Sequence, residues 1–257
     1  MQMLFDTHAH LDDGRFDKDR EEVIKRCKQD GVELILNAGS NIETSVKAIA
    51  LAKEYEFIYA SVGVHPHDAA DMDDETAGVL AALAENKKVK AIGEIGLDYH
   101  YDFSPRDVQK RRFVEQIDLA RQLKLPVIVH DREAHGDVMD IFKKSRIKEV
   151  GGVLHSFSGS AEMALECIKL GLYISISGPV TFNNARKTVE VVKHVPLDML
   201  LIETDSPYLT PVPYRGKRNY PGYVRLVAKK IAEIKEISFE EVARQTRLNG
   251  KRLFGIE

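Results

Sequence analysis

The feature that most constrains the fold of this chain is a regular alternation of short apolar runs with longer amphipathic segments. Eight apolar runs recur along the 257 residues: MLF, VELILNAG, FIYASVGV, VKAIGEIG, PVIVH, GGVLH, GLYISIS and MLLIETD. They are rich in Val, Ile and Leu, and several are bounded by Gly or Pro, which is typical of buried parallel strands. The sequence therefore predicts eight strands separated by other elements.

The segments between these runs carry the signals of helices. The segment DKDREEVIKRCKQDG begins with acidic residues and ends at Gly31, as the ends of a helix favour. A later segment, SPRDVQKRRFVEQIDLARQL, has apolar residues at helical spacing. Its sequence predicts Ser104 as the N-cap and Pro105 as the first helical residue.

Eight strand–helix units in a chain of this length predict an α/β protein with a (β/α)8 TIM barrel, formed as a single domain over residues 1–257. The alternative for such alternation is an open, doubly wound sheet. A GxGxxG fingerprint does not follow the first apolar run, which makes that alternative less favoured.

Composition limits the function classes. Hydrophobic residues make up 44% of the chain, charged residues 30%, and the net charge is -3, so any contact with nucleic acid has to come from a local cluster. The two cysteines form no CxxC pair, which argues against a zinc finger. No signal pattern or membrane-length apolar run is present, so we expect a cytoplasmic protein that does not contact the membrane.

Metal-type ligands follow five of the eight predicted strands. They are His8 and His10 after the first, Glu94 in the fourth, His130 after the fifth, His155 after the sixth and Asp205 after the eighth. In barrel enzymes the active site is built at the carboxyl ends of the strands. Residues two apart on an extended chain point to the same side, so His8 and His10 are expected to face the barrel mouth together.

A lone histidine after a strand is more often a hydrogen-bonded structural residue than a ligand. Six such groups at equivalent places would carry a large desolvation cost above an apolar core, and metal coordination would offset it. Six ligands exceed the needs of one tetrahedral site and suit two ions that share a carboxylate. Glu94, on a central strand, is the expected bridge. The mixed donor set leaves Mg²⁺, Mn²⁺ and Zn²⁺ open.

Several motifs in order carry a family resemblance: DTHAHLD, GVHP, AIGEIGLDYH, LPVIVHDR, GVLHSFSG, LLIETDSPYLTP and RGKRN. On these motifs the chain resembles the TatD-type metal-dependent hydrolases, known as deoxyribonucleases, within the amidohydrolase-like barrels. The resemblance extends from Asp6 to the closing NGKRLFGIE.

The resemblance implies one ion held by His8, His10 and Asp205, and a second held by His130 and His155, with Glu94 between them. It also implies cleavage of DNA, typically from the 3′ end. One position departs from the family pattern, since Tyr220 stands before the proline where the family commonly has Glu.

The segment after the eighth strand, SPYLTPVPYRGKRNYPGY, is expected to be a stiffened loop because it contains four prolines and two glycines. Barrel phosphate sites often use the loops after the last strands, so Arg215, Lys217 and Arg218 are candidate phosphate contacts. The alternative is a solvated basic turn. His65, which follows the third strand, is a further candidate for binding substrate.

The expected reaction is hydrolysis of a DNA phosphodiester by a metal-activated water, with Glu94 and Asp205 as catalytic residues and Asp205 as the proton acceptor. One rival is the hydrolysis of a small-molecule amide, ester or lactone, since the same centre supports that chemistry. A rival of another class is a barrel that binds metal and ligand without catalysis. The sequence implies no obligate protein partner.

Overall fold

A computed structural model describes residues 3–257, and strands alternate with helices along this part of the chain. The strands are β1 (Leu4–Ala9), β2 (Val32–Ala38), β3 (Ile58–Val62), β4 (Val89–Asp98), β5 (Val127–Arg132), β6 (Gly152–Leu154), β7 (Leu172–Ile176) and β8 (Leu200–Ile202). The helices are α1 (Arg20–Gln29), α2 (Ile42–Glu54), α3 (Thr76–Ala84), α4 (Arg106–Leu123), α5 (His135–Lys144), α6 (Ile147–Val150), α7 (Ala161–Lys169), α8 (Arg186–His194), α9 (Val224–Lys235) and α10 (Phe239–Phe254). Each predicted apolar run overlaps one strand, so the predicted alternation is confirmed.

The strands pair in parallel and in sequence order, from β1 to β8. The two ends of this sheet meet, because the His10 amide donates to the Ser206 carbonyl at 2.7 Å and the Asp205 amide donates to the His8 carbonyl at 2.9 Å. A sequential order that closes on itself is that of a (β/α)8 barrel. The predicted barrel is therefore confirmed, and the open doubly wound sheet is wrong.

The side chains of the strands divide into an inner and an outer core. An outer cluster, which includes Leu4 and Ile35, packs beneath the helices. An inner cluster contains Phe5, Leu36, Ile128 and Tyr173, together with Phe254 from α10. The alternation of strand side chains between the two faces of a sheet produces this division. Apolar groups thus fill the interior of the barrel and leave its carboxyl end for polar side chains.

A buried carboxylate strengthens the junction between β1 and β8. Asp6 is fully buried and accepts hydrogen bonds from the amide of Thr204 at 2.8 Å and from its hydroxyl group. Burial raises the pKa of Asp6 well above its ordinary value, although the bonds from Thr204 act in the opposite direction. The carboxylate therefore links the first and last strands just below the barrel mouth.

The start of α4 differs from the sequence prediction by one residue. The helix begins at Arg106, and Pro105 occupies the cap position that we predicted for Ser104. The hydroxyl of Ser104 donates instead to the carbonyl of His67 at 2.8 Å and accepts from the amide of Ala70 at 3.0 Å. The Ser104 hydroxyl therefore forms hydrogen bonds with residues distant in sequence and does not cap α4.

Candidate metal centre

Two irregularities in the strand ladder aim side chains at the barrel mouth. The β1–β2 register shifts within Asp6–Ala9, which contains His8, and the β4–β5 register shifts within Ile92–Ile95, which contains Glu94. Such irregularities re-aim side chains next to active sites. Simple two-residue alternation does not describe these strand ends, yet His8 Nε2 and Glu94 Oε2 lie 3.4 Å apart.

A close approach of β4 to β5 depends on a glycine. Gly96 has a φ of +144°, and a Cβ at this position would lie 2.0 Å from the carbonyl oxygen of His130. Only glycine tolerates both the backbone conformation and this contact. The two strands can therefore run close together, with Glu94 Oε1 only 2.9 Å from His130 Nδ1.

A first group of donor atoms lies on one side of Glu94. The Nε2 atoms of His8 and His10 are 3.1 Å apart. Glu94 Oε2 is 3.4 Å from His8 Nε2, and Asp205 Oδ1 is 3.4 Å from His10 Nε2. Donor atoms of His8, His10 and Glu94 lie within 4.8 Å of one another, as do those of His8, His155 and Asp205.

A second group of donor atoms surrounds the other oxygen of Glu94. Glu94 Oε1 lies 2.8 Å from His155 Nε2, 2.9 Å from His130 Nδ1 and 3.5 Å from His65 Nε2. Donor atoms of His65, Glu94 and His130 lie within 4.8 Å of one another. Each oxygen of the Glu94 carboxylate therefore faces a separate set of imidazoles, the arrangement that a bridging ligand requires.

Neighbouring groups orient the imidazoles from behind. His10 Nδ1 lies 3.0 Å from the carbonyl oxygen of Ala38, so Nδ1 keeps its proton when the ring is neutral, and Nε2 is then the atom that can bind a cation. His155 Nδ1 lies 3.4 Å from Oε1 of the buried Glu203, which also accepts from the amide of Ser156 at 2.6 Å. Contacts of this kind fix the tautomer and orientation of histidines that bind metal.

The donor set fits divalent cations. Imidazole nitrogen and carboxylate oxygen together suit Zn²⁺ or Mn²⁺, and Mg²⁺ favours the oxygen atoms. His8, Glu94 and His155 are buried and the other three groups are half-buried, and their nitrogen and oxygen atoms converge on the two sides of one carboxylate. His8 Nδ1 is buried with no hydrogen-bond partner in the described residues, whereas His8 Nε2 faces Glu94 Oε2 at 3.4 Å, so Nε2 is the atom of this ring that would bind a cation.

Electrostatics in the cluster follow from opposite charges in a buried space. Burial opposes the charge of Glu94, but His155, His65 and His130 outweigh it and hold its pKa well below the ordinary value. Burial likewise disfavours the His10 imidazolium, but Asp205 and Glu94 outweigh it and raise the pKa of His10 to about 9. The pKa values of His130 and His155 are raised as well, whereas burial lowers those of His8 and His65, so in the absence of a cation protons on His10, His130 and His155 balance the carboxylates.

Metal binding is accordingly expected to release protons at pH 7. His10 is protonated below its pKa of about 9 in the metal-free protein, whereas a histidine ligand must be neutral. Apparent affinity for Zn²⁺ or Mn²⁺ should therefore increase as the pH rises towards 9. Calorimetric titration in two buffers with different ionisation enthalpies measures the release, and identical heats in both buffers would contradict it.

Asp98 is a site residue that the sequence reasoning missed. It ends β4, is fully buried, and its Oδ2 lies 2.9 Å from His67 Nε2 and 3.1 Å from His130 Nε2. Burial opposes its charge, but the contacts with His130 and His67 hold the pKa of Asp98 below its ordinary value. The available signal was an acidic residue four positions after Glu94, at the end of the same strand.

The substrate candidates fall in different places. His65 lies inside the cluster, as its contact with Glu94 shows, and it lines the cavity. Arg215, Lys217 and Arg218 are not among the residues that line this cavity. The guanidinium of Arg218 pairs with Asp19, with Nη1 at 2.9 Å from Oδ1, and that of Arg215 lies 4.3 Å above the ring of Phe182.

Tyr220, which stands where the family commonly has Glu, lies away from the donor groups. Its ring is buried, and its hydroxyl donates to Asp30 Oδ2 just after α1. The guanidinium of Arg26 lies 4.7 Å above the ring. At this position the tyrosine therefore ties the last loop to the end of α1.

The cavity at the barrel mouth has a volume of about 1150 Å³. Its walls include the aromatic side chains of Tyr101, Phe103 and Tyr208 and the cationic side chains of Lys47 and Arg132. A parallel barrel with imidazole and carboxylate groups at the carboxyl ends of its strands is the architecture of a metal-dependent hydrolase.

A family model described as "TatD related DNase" matches residues 5–255. The chain therefore belongs to the TatD family of metal-dependent hydrolases, and the resemblance seen in the motifs is confirmed. None of the helices within residues 3–257 is long and apolar enough to cross a membrane.

Individual relatives agree with the family. The chain is 54% identical to "Uncharacterized metal-dependent hydrolase YabD" of Bacillus subtilis strain 168, with 99% of this chain and 100% of the relative covered. It is 37% identical to "3'-5' ssDNA/RNA exonuclease TatD" of Erwinia tasmaniensis, with 98% and 100% covered. The crystal structure of YJJV, a TatD homologue from Escherichia coli K12, superposes with a TM-score of 0.93 at 33% identity, covering 99% of this chain and 98% of the homologue.

Proposed function

We propose that this chain is a nuclease that hydrolyses phosphodiester bonds of DNA from the 3′ end of a single strand. The observation that carries the proposal is the pair of donor groups that share Glu94 in an open cavity with aromatic and cationic walls. The Erwinia tasmaniensis relative supports it, because its name describes a 3′-5′ exonuclease acting on single-stranded DNA and RNA.

Two divalent ions would be held by the six strand-end residues, one by His8, His10 and Asp205 and one by His130 and His155, with Glu94 shared between them. When bound, such ions neutralise charge on the phosphate and acidify water. Asp205 directs Oδ1 towards His10 and lines the cavity, so its second oxygen is the proposed proton acceptor. His65, which touches Glu94 from the cavity side, is proposed to contact the phosphate.

The main rival remains a hydrolase of a small amide, ester or lactone. The volume of the cavity, about 1150 Å³, accommodates either class of substrate, so the charges on its walls carry the distinction. Arg132 on its wall, for which no carboxylate partner is found among the described residues, favours an anionic substrate over a neutral one, whereas Lys47 is already paired with Glu43 at 2.6 Å. A barrel that only binds ligand would not need a half-buried carboxylate facing the cavity as a proton acceptor.

A labelled-strand assay separates these functions. We expect a single DNA strand labelled at its 5′ end to shorten from the 3′ end in the presence of Mg²⁺ or Mn²⁺, and chelation to stop the reaction. A panel of neutral esters and lactones provides the comparison. Turnover of a neutral ester without strand cleavage would favour the small-molecule enzyme, and no turnover of any substrate would favour the binding barrel.

The salt dependence of strand binding tests which cations contact phosphate. Arg132→Ala is expected to flatten the slope of log affinity against log salt by about 0.7 for one lost contact with a single strand. Arg218→Ala is the matched control, because its guanidinium is already paired with Asp19. If the slope is unchanged in Arg132→Ala but flattened in Arg215→Ala or Lys217→Ala, the phosphate contacts come from the last loop, as the sequence predicted.

A further inference from the structure

An exposed pair of aromatic rings lies beside the donor groups. Phe103 is 68% exposed and Tyr101 is 48% exposed, although both line the cavity. Their ring centroids are 5.3 Å apart, and the planes are inclined by only 28°. Single exposed apolar side chains are common on proteins, but a stacked pair at the wall of an active-site cavity indicates a binding surface.

The loop that carries these rings is fixed to the centre. The amide of Tyr101 donates to Asp98 Oδ1 at 2.9 Å, and the other oxygen of Asp98 contacts His130. The ring of His67 packs against Phe103 with centroids 4.8 Å apart, while its Nε2 contacts Asp98 at 2.9 Å. One buried carboxylate thus joins the aromatic pair to a proposed metal ligand.

Asp102, between the two aromatic residues in the same loop, is also held in place by a side-chain contact. Asp102 has a φ of 56°, in the left-handed region that Asp tolerates better than most residues. Its carboxylate pairs with the guanidinium of Arg106 through bonds of 2.9 and 2.7 Å. The rings are therefore presented to solvent by an anchored turn, so binding a flat ligand there requires little ordering of the loop.

We propose that Tyr101 and Phe103 form a stacking shelf for an unpaired nucleobase of the strand whose phosphate occupies the centre. This inference rests on the proposed function. Aromatic side chains stack on any base through its π face, whereas a base inside a duplex is covered on both faces by its neighbours. The guanidinium of Arg132 lies 4.7 Å above the ring of Tyr101, so a cation that could pair with a phosphate of the strand lies beside the shelf.

The shelf has a predictable selectivity. It contacts the face of the base, so it favours single strands over duplex ends and does not depend on base-pairing edges. Purines, with the larger π surface, should bind better than pyrimidines, and an abasic nucleotide should lose the contribution of the shelf.

The test compares intact single strands with strands that carry abasic nucleotides near the 3′ end. Phe103→Ala is expected to raise KM on intact strands by roughly 5- to 100-fold, the usual range for one lost base–aromatic stack. In the wild type, KM should be higher for abasic strands than for intact strands. The ratio of these two KM values should fall towards one in Phe103→Ala. Phe103→Tyr should restore it, because a tyrosine ring stacks equally well.

Two further readouts separate stacking from other roles. The salt slope should stay unchanged in Phe103→Ala, since no charge is removed, and Leu248→Ala serves as the control for loss of an exposed apolar side chain on α10. Phe103→Ala with the wild-type KM and the wild-type preference for intact strands would overturn the shelf while leaving the nuclease proposal in place. A wild type that neither binds nor cleaves any strand would overturn both.

Discussion

Asp205→Asn is expected to lower strand cleavage by about 10²–10⁴ at saturating Mn²⁺, the usual effect of losing a general base. Asparagine preserves the shape and one ligating oxygen but removes the charge and the basicity. The fold should survive, because Asp205 has a φ of 54° and asparagine tolerates the left-handed region at least as well. Turnover and the melting temperature of the metal-free protein are the two measurements.

The electrostatics of His10 give an independent readout for this variant. Burial lowers the pKa of His10, and the Asp205 carboxylate is the largest of the influences that raise it. The pKa of His10 should therefore fall in Asp205→Asn, which NMR titration of the imidazole can follow. Asp74→Asn, at an exposed position, is the control for a lost surface charge. Cleavage within a few-fold of the wild type would show that another group accepts the proton.

Glu94→Gln is expected to have the larger effect, a fall of at least about 10³-fold in cleavage with loss of bound metal. Metal ions contribute several kcal/mol to stabilising transition-state charge, and 1.36 kcal/mol corresponds to a factor of ten. An amide offers one oxygen where the carboxylate offers two, and its NH₂ group faces one of the donor sets. Metal content and turnover of the purified variant measure the two consequences.

Glu203→Gln is the comparison variant for Glu94→Gln, and it is expected to have a smaller effect on metal content and cleavage. Glu203 is buried and contacts only the outer nitrogen of His155 among the proposed ligands, at 3.4 Å. Loss of such a supporting contact typically costs about 10–100-fold. Equal metal content in Glu94→Gln and the wild type would contradict the bridging role, whatever the result for Glu203→Gln.

Much of the site was predictable because strand periodicity and barrel topology are strongly coupled. Once eight apolar runs indicate a parallel barrel, residues at the ends of the runs must meet at one face, and the structure brings His8, Glu94 and Asp205 together there. The spacing alone did not reveal the ladder irregularities at His8 and Glu94, since these arise from pairing between strands.

Long-range contacts explain what the sequence reasoning missed. Arg218 reads as a free cation in the last loop, but its partner Asp19 lies 199 residues earlier in the chain. Asp98 has the sequence context of an ordinary strand end, but its contacts depend on His67, in the segment after β3, and on His130, in the neighbouring strand β5. Local patterns do not encode such pairings, so they became visible only in three dimensions.

The central claim is that Glu94 joins two metal sites in one cavity. Anomalous diffraction from crystals soaked in Mn²⁺ tests it most directly. The account predicts two peaks on opposite sides of the Glu94 carboxylate, one against His8, His10 and Asp205 and the other against His130 and His155. A cavity without a peak, a single peak, or two peaks that do not both touch Glu94 would contradict it.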